Sequence, residues 1–152
     1  MIKLNIRKAL VDDLPYIICL LANDTLGINR ESYEEPLPQE YYRAFTEIAA
    51  DKNQYLMVIE EHNKIIGTLQ LTIIANLTYR GGKRAQIEGV RIDEAFRGQG
   101  IGKVLIEWAI NKAREVGCHV VQLTTDKQRP DALTFYNKLG FIASHEGLKL
   151  PL

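Results

Sequence analysis

At 152 residues, with 46% hydrophobic and 25% charged side chains, the chain is long enough for one well-packed domain over 1–152 and too apolar to be disordered. Nineteen basic and nineteen acidic residues give zero formal net charge, which lends no support to nucleic-acid or membrane-surface binding driven by overall charge. The only cysteines, Cys19 and Cys118, lack the short spacing of a metal pair, so two reduced, buried thiols, no metal and a cytoplasmic setting are expected. Ile17 to Ala22 is too short to span a bilayer, and no basic-then-apolar leader opens the chain.

Ile2, Leu4 and Ile6 alternate with polar residues and predict a first strand. Asp12 then reads as an N-cap, followed by a helix with Leu14, Ile17, Ile18 and Leu21 on one face and Gly27 as its stop. The acidic stretch through Glu31, Glu34 and Glu35 reads as a loop. Pro38 can open a second helix carrying Tyr41, Phe45, Ile48 and Ala49, which Asp51-Lys52-Asn53 ends. Tyr55–Ile59 is a short apolar run suited to a strand buried on both faces. His62-Asn63-Lys64 is turn material, and Ile65 to Ile73 alternates as the second arm of a hairpin.

A connection through Tyr79, Arg80, Gly81, Gly82, Lys83 and Arg84 leads to a further strand with Ala85, Ile87, Val90 and Ile92. After it, Ile101, Val104, Leu105, Trp108, Ala109 and Ala113 mark a long helix that Gly117 closes in left-handed conformation. Cys118 to Thr124 reads as a strand, and Pro130 opens a last helix that Gly140 stops. Phe141–Ala143 and Leu148–Leu150 are short strand candidates. The order is β-α-α-β-β-β-α-β-α-β(-β), a mixed α/β sheet covered by helices on both faces.

The chemistry concentrates where the strand Ile87–Ile92 runs through a glycine-rich turn into the long helix. A helix start leaves several N–H groups unpaired and carries partial positive charge, so it favours an anion. A P-loop is excluded twice, because Arg97 stands at its first glycine and Val104 at its hydroxyl position. A dinucleotide fingerprint fits Gly98 and Gly100 but meets Lys103 at its third glycine, and a hairpin precedes it in place of a βαβ unit. In the strand, Ala85 and Ile87 set one apolar phase while Val90 and Ile92 continue in the other. Either a β-bulge at Glu88-Gly89 absorbs one residue, or the strand crosses between two packing environments.

Arg97-Gly98-Gln99-Gly100-Ile101-Gly102 matches Arg/Gln-x-x-Gly-x-Gly/Ala and resembles the acyl-CoA pyrophosphate loop of the GNAT superfamily of N-acetyltransferases. In that family the loop also lies between the fourth strand and the third helix. Ala132 to Phe141 resembles the family's A-x-x-F-Y-x-x-x-G-F signature on the fourth helix. One departure is Arg129, where the family often has Asn; a side-chain contact to the cofactor there is in doubt, and Arg129 can instead meet a phosphate. The resemblance implies the GNAT acyl-CoA N-acyltransferase fold, α+β mixed, with a central, mostly antiparallel sheet, splayed fourth and fifth strands and flanking helices. It implies acetyl-CoA as cosubstrate and no metal. Gly98, Gln99, Gly100, Ile101, Gly102 and Lys103 would hold the pyrophosphate together with Arg97, while Val90, Arg91 and Ile92 would pair with pantetheine through their backbone. A backbone N–H near Val90 would polarise the acetyl carbonyl like an oxyanion hole.

Spacing alone makes Tyr136 a core residue beside Ala132 and Leu139; the Phe-Tyr-x-x-x-Gly-Phe context makes it the candidate general acid, a phenol near pKa 10 facing a departing thiolate near 8.5. Glu88 is either the base that deprotonates the amine through water or a solvent-facing carboxylate at the bulge. The Arg91 side chain is expected to point to solvent. Arg97 either approaches a phosphate or caps the loop. Lys103 opposes the helix dipole unless an anion lies nearby. The acidic loop could attract a cationic amine and Tyr79–Arg84 an anionic one. The leading expectation is transfer of the acetyl group of acetyl-CoA to a primary amine of a small molecule in a ternary complex, with no nucleic acid or membrane partner. The alternatives are an acyl-CoA-binding sensor module without transfer and a protein N-terminal or lysine acetyltransferase. Homodimers are common among similar proteins.

Overall fold

The computed structural model describes residues 3–152, so the Ile2 end of the expected first strand lies outside it. The elements are β1 (Leu4–Lys8), α1 (Leu14–Ala22), α2 (Gln39–Ala50), β2 (Gln54–Glu61), β3 (Lys64–Ile74), β4 (Lys83–Ile92), α3 (Ile101–Glu115), β5 (Cys118–Leu123) and α4 (Pro130–Lys138). The strands stand in the order β1-β2-β3-β4-β5; every neighbouring pair is antiparallel except β4 and β5, which run parallel.

Local chemistry sets most boundaries. His62 and Asn63 both have positive φ (48° and 64°), and Glu61 pairs with Lys64. That is a two-residue hairpin turn whose twist matches the strands, and Lys64 belongs to β3. Gly117 and Gly140 follow the last two helices at φ +80° and +94°. Asp12 is no cap: Val11–Asp13 forms a 3-10 turn, and the Asp13 carboxylate accepts the Leu10 N–H at 2.7 Å and pairs with Arg7 at 2.7 Å. Gly27 does not end α1, which stops at Ala22; Gly27 starts a separate 3-10 turn. There its N–H is taken by the Asp24 side chain, and a Cβ would lie 2.0 Å from the Leu21 carbonyl oxygen.

The expected strands at Phe141–Ala143 and Leu148–Leu150 are absent. Phe141–Ala143 is a continuous apolar run and Leu148 and Leu150 flank Lys149, but neither segment pairs with a strand of the sheet. The Phe141 N–H instead closes α4 on the Tyr136 carbonyl at 3.1 Å, and Ile142, Leu148 and Leu150 are exposed. Both cysteines are free and only half-buried.

The main core lies between the sheet and α3. Leu69, Leu71 and Ile73 of β3, with Ala85 and Ile87 of β4, pack against Leu105, Ile106, Ala109 and Ala113. Alternation sends Gln70 and Thr72 to the opposite face, where both bond the Gln54 side chain, at 3.0 and 2.8 Å. A smaller cluster of Leu14, Ile18 and Leu37, with Tyr41, Tyr42 and Phe45 against it, joins α1 to α2.

Thr68 of β3 pairs with Arg91 and Gln70 pairs with Glu88, so β4 advances three residues while β3 advances two. The extra residue is a bulge at Gly89–Val90, and Gly89 takes φ +61°. The bulge resolves the change of phase: Ile87, Val90 and Ile92 all pack on the α3 core. By the same token, Glu88 and Arg91 share the opposite face, which residues three apart in a regular strand do not. Pairing between β4 and β5 ends at Ile87 and Leu123, so the two strands part where the bulge begins.

Candidate active site

The gap between β4 and β5 is lined by backbone. The Asp93 N–H bonds the Ile66 carbonyl on the β3 side at 2.8 Å. Antiparallel alternation then turns the backbone N–H and C=O of Arg91 toward β3, and the Val90 C=O with the N–H and C=O of Ile92 into the gap. Both carbonyls are engaged by arginines: Arg91 Nη1 donates to Val90 at 2.8 Å and Arg97 Nε to Ile92 at 3.1 Å. Arg97 thus ties the glycine loop to the end of β4.

The loop from Arg97 opens α3. Gly98 (φ +76°) and Gly100 (φ +82°) are left-handed, and a Cβ on either would meet no atom within 4 Å. The Gly100 carbonyl takes the Val104 N–H at 3.2 Å, which leaves the N–H groups of Ile101, Gly102 and Lys103 directed out of the helix start. Open space above convergent N–H donors fits a pyrophosphate. Gly102 has a second reason to be glycine: a Cβ there would stand 3.3 Å from Phe135, where α3 packs on α4. Gln99 and Lys103 are exposed; Gln99 Nε2 donates to the Ala95 carbonyl at 3.3 Å, and Lys103 pairs one turn on with Glu107 at 3.6 Å.

Tyr136 is half-buried, edge-on to Phe135 (5.1 Å between centroids) and Phe141 (5.7 Å). Burial raises its phenol above the usual value, partly offset by the charges of Arg91 and Arg129. The phenol therefore carries its proton at neutral pH. Glu88 is exposed, on the face opposite α3.

Arg91 does not point to solvent. Its side chain is 19% exposed, with Nε 3.2 Å from Asp24 Oδ2. Arg129 Nη1 reaches the same oxygen at 2.7 Å, and Arg30 pairs with Asp126 at 3.1 Å. Asp24 Oδ1 accepts the backbone N–H groups of Leu26 and Gly27. Burial works against the Asp24 charge, but the hydrogen bonds from Arg129 and Gly27 and the charges of Arg91 and Arg129 outweigh it, holding the carboxyl at about 2. Arg91 moves the other way from its partner: burial, then repulsion from Arg129 and Arg30, outweighs the attraction of Asp24 and lowers it. The two shifts agree on one picture, a carboxylate enclosed by an excess of positive charge. Asp24, Arg30 and Asp126 escape a reading of the sequence, because they lie up to 105 positions from their partners and no motif contains them.

A parted pair of strands, a left-handed glycine turn at a helix start and a half-buried phenol on the last helix are the features of this region. The model of the acetyltransferase (GNAT) family matches residues 22–141, and the chain belongs to that family. Its fold matches the crystal structure of a transcriptional regulator from Bacillus halodurans C-125 at TM-score 0.96 and 56% identity, covering 99% of this chain and 100% of that one. It also matches glucosamine-6-phosphate N-acetyltransferase from Arabidopsis thaliana at TM-score 0.75 and 27% identity, over 99% of this chain and 97% of that one. In sequence it is 36% identical over 89 residues to glucosamine 6-phosphate N-acetyltransferase of Trypanosoma brucei brucei, covering 59% of this chain and 58% of the relative. That match spans less than two thirds of the relative's length. Among the described residues, no helix is long and apolar enough to cross a membrane.

Proposed function

We propose that the chain is a single acetyl-CoA-dependent N-acetyltransferase domain acting on a primary amine of a small molecule. The observation that carries this reading is the parting of β4 from β5 at the bulge, on the strand that leads through the glycine turn to the open N-terminus of α3. Two of the N-acetyltransferases it resembles are named for glucosamine 6-phosphate, a small amine. Gly98–Lys103 and Arg97 would hold the pyrophosphate, and the gap-facing backbone of Val90 and Ile92 the pantetheine. The cosubstrate supplies an acetyl thioester. Glu88 takes a proton from the amine through water, and the nitrogen attacks the acetyl carbonyl while the Val90 N–H stabilises the developing oxyanion. The C–S bond breaks, Tyr136 protonates the departing thiolate, and the second amine proton leaves the amide nitrogen to restore the phenol. Holding both reactants in one site supplies much of the acceleration.

A second reading has a specific observation in its favour: the 56% identical structure is described as a transcriptional regulator. On that reading the domain binds acyl-CoA as a sensor and does not transfer. An amine panel scored by free thiol, run beside a thermal-shift titration with acetyl-CoA, separates them. Thiol release with at least one small amine supports transfer. A shift without release from any amine supports the sensor, and no shift at all overturns both. A protein N-terminal or lysine acceptor differs only in substrate, and a peptide arm of the same panel tests it.

We further propose a homodimer and a reducing, cytoplasmic setting. The dimer is supported by the edge position of β5, its exposed Val120, and the exposed Ile142, Leu148 and Leu150 of the extended C-terminal segment. The setting is supported by two free thiols. Sedimentation as a monomer at micromolar concentration would refute the dimer.

A further inference from the structure

We propose that Arg91 and Arg129, with Arg30 at the rim, form an anion subsite that binds a phosphoryl or carboxylate group on the acceptor amine. This rests on the transferase reading and names the class of acceptor.

The first argument is a count of donors against acceptors. Three guanidiniums meet two carboxylates, Asp24 and Asp126. Arg91 and Arg129 converge on a single oxygen of Asp24, whose other oxygen is taken by backbone N–H groups. Asp24 therefore offers neither arginine the two parallel hydrogen bonds a guanidinium fork can make. Arg129 Nη2 is buried without a partner, and Arg91 Nε, though near Asp24, lacks hydrogen-bond geometry. The group that completes such a cluster is an oxyanion with several acceptor atoms.

Position is the second argument. The bulge puts Arg91 on the same face as Glu88, opposite α3, and that face carries the polar side chains of Gln54, Gln70 and Thr72. Arg129 directly precedes α4, and both arginines act electrostatically on the Tyr136 phenol. An anion held there keeps the rest of a small molecule between Glu88 and Tyr136. The glycine loop opens α3, which packs on the other face, so the subsite is separate from the pyrophosphate cradle.

Charge is the third argument. The cluster carries a net excess of one positive charge in partly desolvated surroundings, with Arg91 19% and Arg129 25% exposed. A polycationic amine is repelled from it. An anionic amine is attracted, and the nearby guanidiniums favour the uncharged, nucleophilic form of its amino group.

The test has a binding arm and a turnover arm. In the binding arm, inorganic phosphate is titrated into the wild-type protein and Arg129→Gln with coenzyme A saturating, so that the glycine loop is filled. A phosphate-dependent rise in melting temperature in the wild type, reduced in Arg129→Gln, supports the subsite; no rise in the wild type overturns it. Arg129→Lys, which keeps the charge and loses the fork, serves as a second variant should Arg129→Gln fail to fold, and it too should respond less than the wild type. In the turnover arm, phosphoryl, carboxylate and neutral amines of matched size are compared. The ratio of kcat/KM for the anionic over the neutral amine should exceed one in the wild type and fall at least about tenfold in Arg129→Gln, the worth of one charge-assisted pair. Equal use of anionic and neutral amines, or an unchanged ratio in the variant, overturns the proposal. Which anionic amine is preferred separates phosphoryl from carboxylate. If no amine turns over, the transferase reading fails while the phosphate titration still decides the subsite.

Discussion

Asp24→Asn removes the negative charge from between Arg91 and Arg129 while keeping a side-chain oxygen for the backbone N–H groups of Leu26 and Gly27. The Asp24 carboxyl is held at about 2 against an ordinary 3.8, and the side chain is only 16% exposed. That difference corresponds to roughly 2 kcal/mol of stability at neutral pH. Leaving two partly buried guanidiniums facing each other adds to the cost, so a loss of about 2–3 kcal/mol is expected. For a domain of this size the melting temperature should fall by about 5–10 °C. The sign of the pH dependence follows from the lowered pKa: the contribution is complete above the unfolded value near 3.8 and is lost as pH falls toward 2. Urea unfolding of both proteins at pH 7, 5 and 3 should show a gap that is constant from pH 7 to 5 and narrows by roughly 1 kcal/mol by pH 3. Equal melting temperatures at pH 7, or a gap that widens in acid, would refute the view of Asp24 as the anion that holds this cluster together.

Three other substitutions probe the machinery. Tyr136→Phe should lower kcat about a hundredfold and leave acetyl-CoA affinity within about threefold, measured by single-turnover kinetics and titration; unchanged turnover would remove the phenol from the acid role. Gly100→Val forces a β-branched residue to φ +82°, costing about 1–2 kcal/mol, and sets methyl groups above the helix start, so acetyl-CoA should no longer raise the melting temperature. A normal acetyl-CoA shift would move the pyrophosphate elsewhere. Gly67→Ala places a Cβ 2.7 Å from Ile92 Cδ1 and 3.0 Å from the Arg91 carbonyl, so β3 and β4 must separate just past the bulge; a loss of about 1–3 kcal/mol in urea is expected, and a neutral result would show that β4 yields freely there.

Several elements were legible because the cause of each is local. The His62-Asn63 turn, the left-handed Gly117 and Gly140, and the proline that opens α4 are set by the residues themselves. The bulge was legible as a conflict: two apolar pairs out of phase within one strand, with a glycine between them. The end of α1 is not legible from Gly27, which is a glycine for its close approach to the Leu21 carbonyl, a contact the helical pattern does not record. The short apolar segments Phe141–Ala143 and Leu148–Leu150 suit a strand in composition, but so short a pattern names no pairing partner, and the fold gives them none. The burial of Arg91 is not legible in sequence, where it is one more charge on a strand and Asp24, its partner, is 67 positions away.

Local preference and apolar period along the chain carry the order of elements as far as α4, the glycine turn before the long helix, the phase slip in β4, and through these the family resemblance. Those properties rest on residue-by-residue conformational preference and on the period of apolar side chains. The tertiary structure alone decided that β4 and β5 part at the bulge, that Gly102 is small for Phe135, and that Arg30, Arg91 and Arg129 gather around Asp24 and Asp126. Each of these depends on which distant segments come to lie together. Charges that are separate and solvated along the chain acquire their chemistry once the fold puts them in one partly desolvated place.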